Sequence, residues 1–339
     1  MVIPVADKSG LHSDTSRRNV KTVLMFLVRL VFVGCLFYVV FRQIHPRDVF
    51  DAVRTVSPVY MIFALILMIP NILLQVAKWY CLLRTLEPRP SYSDAFYSLM
   101  GGLFFAAASP ARMGELARGA CLPELPLIRT GALTVIEKAA GHFFIFLGGL
   151  CSLFFLISNP VRYILPVIII MTLLLPYSLY HSRHWWKKVI HRFLHRDLAE
   201  HAHVVFASLQ PRRVMELSLY SVLLYLVFTF QFYLILKGFI DIPPRVALLT
   251  IPVVFFMDLV MPVSLGGFGM KEFTSVQLLT RFGLDGGAVL GASLAHNIMT
   301  LIVPGVIGGI MFALVGLKRN RGDRSSDENT TREPGSSSR

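Results

Sequence analysis

The sequence predicts an all-α protein that crosses a membrane several times, with about six full transmembrane helices and two re-entrant helical hairpins. Three observations predict it. Hydrophobic residues make up 55% of the 339 and charged residues only 16%, against about 25% charged in a soluble domain. The mean hydropathy is +0.62. Long apolar runs alternate with short basic segments. A soluble chain of this length would have to bury more apolar surface than its core can hold, so a cytosolic globular enzyme is excluded. The four cysteines, Cys35, Cys81, Cys121 and Cys151, stand singly in or beside apolar runs. They read as small membrane-facing hydrophobes, with neither a disulfide framework nor zinc spacing.

The elements follow in order. Residues 1–21 are polar and basic. An apolar run from Thr22 to Phe41, interrupted by Arg29, reads as a retained first helix, because no small-residue cleavage site follows it. Pro58 to Leu83 is the second run. Ala95 to Ser109 is short for a span of about 20 residues and ends at Pro110. Runs from Thr130 to Ser158 and from Tyr163 to Tyr180 follow, then a basic segment, 183–213, then Val214 to Leu236. Ala247 to Leu265 breaks at Pro262 and at Gly266-Gly267-Phe268-Gly269. The last run lies between Gly286 and Leu317, and 318–339 is a polar tail expected to be disordered. One membrane domain, 22–317, thus has halves at about 58–181 and 214–317.

The net charge of +13 lies in loops and tails, which points to orientation and anionic lipid rather than nucleic acid. Segment 183–213 and the start of the tail are basic and should be cytoplasmic, as should the N-terminus. Six spans with hairpins at Pro110 and Pro262, opening from opposite sides, keep every basic segment inside. Eight full spans also keep both ends inside, but move either Arg84 and Arg89 or segment 110–130 out. Within 183–213, Trp185, Trp186, Val189, Ile190, Phe193, Leu194 and Leu198 recur near helical spacing between lysines and arginines. That is the pattern of an amphipathic helix on an anionic leaflet. Its histidines (His181, His184, His191, His195, His201 and His203) are irregularly spaced without cysteine or acid partners, so no metal is expected.

An internal repeat carries the most information. Ser109-Pro110-Ala111-Arg112-Met113-Gly114-Glu115 and Met261-Pro262-Val263-Ser264-Leu265-Gly266-Gly267-Phe268-Gly269-Met270-Lys271-Glu272 each follow a short apolar stretch. Each has proline, glycine four residues later, then charge. Proline breaks a helix and glycine admits unusual backbone angles and close approach. Broken backbone at membrane depth persists only where protein or a water-filled cavity covers it. Two such breaks in corresponding halves are the mark of an inverted-repeat transporter; two ordinary proline kinks are the plainer reading. Arg112, Glu115 and Arg118 are spaced to share one face of a helix. Lys271 and Glu272 open the helix after Gly269, where free N–H groups and a basic side chain suit phosphate. Glu115 and Glu272 would balance charge or carry protons. Glu137 and Lys138 lie within an apolar run and join the substrate-binding candidates, while His142, Asp258, His296 and Asn297, also in apolar runs, form a candidate polar network. No H-E-x-x-H, P-loop or G-x-S-x-G motif is present, so no enzyme activity and no cofactor are expected.

At these residues the sequence resembles the lysylphosphatidylglycerol synthase transmembrane-region family, flippase-like membrane proteins. The resemblance covers about residues 20–317. Lys78-Trp79 with Leu82-Leu83 looks like the family's basic-Trp element, and Pro110 to Arg118 like its P-x-x-x-G-E-x-x-R element. Glu137-Lys138 is similar to its Glu-Arg pair. Pro262 to Glu272 is similar to its most specific element, and Ala292-Ser293-Leu294 and Pro304 to Gly309 to its last helix. Two positions depart: Gly141-His142 stand where the family often has Asp, and His296 where it often has Arg. The resemblance implies a lipid flippase-like module of the inner membrane, moving an anionic, aminoacylated or glycosylated headgroup. Arg112, Arg118 and Lys271 would hold phosphate, and Gly266, Gly267 and Gly269 would let backbone approach it. The alternative is a non-catalytic membrane partner of a glycosyltransferase or lipid synthase.

Overall fold

A computed structural model describes residues 44–314, apart from 87–89, 108, 110–111, 123, 158–162, 171, 173–209 and 262–267, together with 31, 34, 38, 41 and 42. Expectations for most of the first apolar run, for segment 183–209, for the tail and for Gly266 and Gly267 lie outside the described residues. The fold is all-α and polytopic. Among the described residues its helices include α1 (Pro46–Arg54), α2 (Pro58–Leu83), α3 (Tyr92–Ala107), a 3₁₀ helix (Met113–Cys121), α4 (Leu127–Leu156), α5 (Pro211–Phe239), α6 (Pro244–Val260), α7 (Met270–Leu279) and α8 (Gly286–Leu314). Of these, α2, α4, α5 and α8 are long and apolar enough to cross a membrane.

Proline sets many of the boundaries. Pro46, Pro58, Pro211 and Pro244 each open a helix at its first residue, where the missing N–H would have had no partner and φ is already helical. At the other extreme, α3 stops at Ala107 ahead of Pro110 and α6 at Val260 ahead of Pro262, because the residue before proline is driven out of helical angles.

The element lengths repeat. A 26-residue helix, a 16-residue helix, a 9-residue helix and a 30-residue helix form the first unit. Helices of 29, 17, 10 and 29 residues form the second. The units run in opposite directions. The Ser57 N–H donates to the Gly238 carbonyl at 2.8 Å, pairing the start of α2 with the end of α5. Midway, Gln231 donates to the Ala64 carbonyl and Asn71 to Gln231. At the far end Cys81 reaches Glu216, near the start of α5.

The two units also exchange their short helices. In α8, Gly308 lies against the Met100 backbone of α3, and Gly305 against Leu103 and Ala107. In α4, Gly149 lies against Phe256 of α6. Each final span is notched with glycine, and the notch receives the other unit's first short helix. One apolar core centres on Trp79, Leu82, Leu99 and Leu133 and the other on Phe232, Ile251, Phe255 and Leu290. Cys81 and Cys121 are buried and Cys151 is exposed; the first two therefore fill protein interior rather than facing lipid.

The glycine notches make a prediction. A Cβ on Gly308 would stand 2.0 Å from the Met100 carbonyl oxygen, a backbone atom that moves only with its helix. Gly308→Ala should cost about 1–3 kcal/mol, the range of core overpacking. Gly141→Ala meets only the flexible tip of Lys78 and should cost less. Thermal unfolding midpoints in detergent, measured side by side, check the order.

Candidate functional site

A cavity of about 540 Å³ opens where the two units meet. Its polar wall includes Asn71, Gln75, Lys78, Arg112, Glu115, Glu137, Lys138, His142, Asp258, Lys271 and Asn297. Its apolar wall includes Leu224, Tyr225, Phe228, Phe255 and Leu259. Every described polar candidate from the sequence is in this wall or directly behind it; Arg118, Glu272 and His296 stand behind, each 0% exposed.

The first half of the site is a closed salt-bridge network. Arg118 donates to Glu137 at 2.7 Å and to Glu115 at 2.6 Å. Lys78 approaches Glu137 at 3.3 Å and Lys138 approaches Glu115 at 2.5 Å. The Arg118 guanidinium also lies 5.3 Å from the Trp79 ring centre, a cation–π contact that suits the planar guanidinium. Trp79 in turn donates to the Ser98 hydroxyl of α3 at 2.8 Å. Four elements are thereby tied together: α2, α3, the 3₁₀ helix and α4.

Local conformation explains the arrangement. Glu115 and Arg118 lie on a 3₁₀ helix, not on the α-helix that the spacing suggests. With three residues per turn, positions i and i+3 eclipse, so the two side chains point the same way more closely than α-helical geometry allows. Arg112 precedes this helix at φ 58°, a left-handed conformation that costs a non-glycine residue about 1–2 kcal/mol. Gly114 is needed beside it, because a Cβ there would stand 2.1 Å from the Phe105 carbonyl oxygen. Glu137 and Lys138 do not pair with one another as a loop-end ion pair would; they lie three turns into α4 and serve different partners.

The second half is built from neutral dipoles around one ion pair. Gly269 takes φ 134°, a region favouring glycine, and its N–H is capped by Glu272 at 2.7 Å. The other Glu272 oxygen accepts from Asn297 at 2.6 Å and from Ser293 at 3.3 Å. Lys271 contacts His296 Nδ1 at 3.0 Å, donates to Asn297 Oδ1 and lies 4.0 Å from Glu272. Phe228, Phe232 and Phe255 surround the His296 ring. A π-helical turn, Ile298–Ile302, begins directly after Asn297; such turns re-aim side chains at functional sites.

The halves correspond residue by residue. Glu115 is the third residue of its short helix and Glu272 the third of α7. Glu137 and Lys138 are the eleventh and twelfth residues of α4, and His296 and Asn297 the eleventh and twelfth of α8. In each unit the second short helix bonds to its own final span at the same height. Sequence reasoning about sites left out Lys78, Asn71, Gln75 and Gln231. A lysine in an apolar helix with no acid of its own was the available signal, as was the i, i+4 spacing of Asn71 and Gln75; the structure buries the lysine and bonds the pair at 2.7 Å. Among the described residues no group of three histidine, cysteine, aspartate or glutamate side chains is placed to hold a metal.

The network makes a second prediction. Glu137→Ala leaves the buried Arg118 and Lys78 short of a counter-charge. Breaking a buried pair from one side typically costs about 3–5 kcal/mol. Lys138→Ala, at a side chain 36% exposed, should produce a smaller fall in the unfolding midpoint measured in detergent.

No curated protein matches the chain. A family profile described as the lysylphosphatidylglycerol synthase TM region matches residues 26–308. That span holds both helix breaks and every described residue of the cavity, and the chain belongs to that family of multi-pass membrane proteins.

Proposed function

We propose that this protein carries the polar headgroup of a membrane lipid across the bilayer of the inner membrane, acting as a transporter rather than an enzyme. The cargo is an anionic, aminoacylated or glycosylated phospholipid or glycolipid. The observation that carries this reading is the two-faced cavity at the junction of the broken helices. Lys78, Arg112, Lys138 and Lys271 bring cations to one wall, and aromatic and aliphatic side chains form the other. A lipid has the same division, a charged head on apolar chains. Polar groups at membrane depth are otherwise costly and mark transport paths.

In this reading the α3–3₁₀ pair and the α6–α7 pair are re-entrant hairpins entering from opposite sides. Arg84, Arg212 and Arg213 converge on Glu216 at one end of the α2–α5 pair, which favours that end as cytoplasmic. With it inside, segment 183–209 and both termini are cytoplasmic too. The opposite end then faces outward, together with α1, whose Asp48 packs on Gly287, and Ile44 just before it on Gly286, at the start of α8.

The test is transbilayer movement of headgroup-labelled lipids in proteoliposomes. Wild-type protein should accelerate it. Arg112→Ala and Lys271→Ala, if folded, should each slow it by at least about tenfold, the worth of a charge-assisted contact. Wild-type protein that moves no lipid while holding a glycosyltransferase or lipid synthase in a stable complex would replace this reading with that of a membrane partner for such an enzyme.

A further inference from the structure

We infer that the start of α5 holds the phosphate of one anionic phospholipid from the adjoining leaflet, in a site made by Arg84, Arg212 and Arg213 outside the cavity. The lipid is a resident of the surface and not the cargo, and the inference needs only that α5 crosses a bilayer.

Three guanidinium groups share one carboxylate there. Arg84, the residue after α2, lies 3.4 Å from Glu216, and Arg212 and Arg213 lie 3.3 Å from it. These contacts are longer than the 2.6 and 2.7 Å contacts that enclose Arg118. Three cations against one anion leave an excess of two positive charges. Arg84 shows a further deficit, since its buried Nε has no hydrogen-bond partner among the described residues. The helix itself adds to the excess. The first turn of α5 holds Arg212 and Arg213 and no acid, at the positive end of the helix dipole, where an anion is favoured and a cation is not. None of these four side chains lines the cavity.

The surface that continues from the arginines points to a lipid as the source of the phosphate. Met215, Leu219, Leu223, Leu226 and Phe230 are exposed, and they follow Arg212 at the three- and four-residue spacing of one helix face. Arg212, with a side chain 85% exposed, therefore heads an apolar stripe. One face of α5 presents cations at its end and hydrocarbon below them, the layout that suits a phospholipid lying along it. On the α2 side, the Arg84 guanidinium lies 5.1 Å from the Tyr80 ring centre, and Tyr80 packs edge-on against Tyr92. Tyrosine at the end of a span belongs to the headgroup level of a membrane. A free phosphate would engage the cations and gain nothing from the stripe. Bound here, a lipid phosphate would join the end of α2 to the start of α5, the helix pair along which the two units meet.

Photolabelling of the full-length protein in nanodiscs tests this without requiring transport. The probes are phosphatidylglycerol and phosphatidylcholine, each with the same diazirine-bearing acyl chain, and labelled peptides are counted by mass spectrometry. Phosphatidylglycerol should label residues 215–223 about fivefold more than phosphatidylcholine, the scale of one basic side chain at an anionic surface. Arg212→Gln, at an exposed side chain, should lower that ratio in folded protein, and Arg212→Gln with Arg213→Gln should bring it close to one. Glu216→Gln, which removes the competing carboxylate, should raise it. A wild-type ratio near one overturns the inference. A ratio that the double variant leaves unchanged also overturns it, and assigns the preference to the charge of the whole surface. A preference abolished by millimolar inorganic phosphate, but not by chloride at the same ionic strength, overturns the lipid and makes the site one for soluble phosphate.

Discussion

The site depends first on one buried cation, Arg118. A guanidinium removed entirely from solvent carries a desolvation cost of several kcal/mol, which only well-placed counter-charges offset. Here two carboxylates approach it at 2.6 and 2.7 Å and the Trp79 ring lies alongside. Because Glu115 shares its short helix and Glu137 belongs to α4, the cation cannot be satisfied unless the two elements meet in one register. Trp79 extends the constraint to α2 and, through Ser98, to α3. A 3₁₀ helix of nine residues is long for its kind, and these contacts account for its persistence. Arg118 is therefore a fixed point, while Arg112, six residues earlier, lines the cavity.

The second unit solves the same geometric problem with less charge. His296 and Asn297 stand where Glu137 and Lys138 stand in the first unit. Neutral dipoles thus replace an acid and a base. Glu272 is consumed by the helix cap, Asn297 and Ser293, and the Lys271 ammonium rests on an imidazole nitrogen and an amide oxygen. The consequence is an uneven cavity. One side is a dense network of ions that hold one another, and the other is one ion pair, Lys271 and Glu272, among dipoles and aromatic rings, with Asp258 in the wall nearby.

Much of this was legible in the sequence, for definable reasons. The spans were visible because length and apolar composition are local properties; the predicted run Thr130–Ser158 is α4, Leu127–Leu156. The two breaks were visible because proline and glycine act on the backbone regardless of context. Charged residues at the breaks could be nominated because charge in an apolar run needs an explanation. Partnership was not legible. Arg118 and Arg112 look alike in sequence, yet one is enclosed by two carboxylates and the other joins no salt bridge among the described residues. That difference comes from α4 folding back across the 3₁₀ helix. The exchange of short helices was hidden for the same reason, since the glycines of α8 meet α3 from some two hundred residues away.

Among the described residues, formal charge around the cavity comes to five cations, Lys78, Arg112, Arg118, Lys138 and Lys271, against four carboxylates, Glu115, Glu137, Asp258 and Glu272. That near-balance constrains what the cavity can hold. A strongly cationic cavity would bind a phosphate tightly from either face and release it slowly, since each unmatched ion in a poorly screened interior adds to affinity. A carrier gains from the opposite arrangement, in which most charges are matched internally and few are offered to the cargo. The internal pairs keep the wall polar, which offsets the desolvation of a headgroup leaving water, while the unmatched groups limit how tightly it is held. On the carrier reading proposed above, passage requires weak but specific contact, which would follow from which salt bridges are closed rather than from how many charges are present.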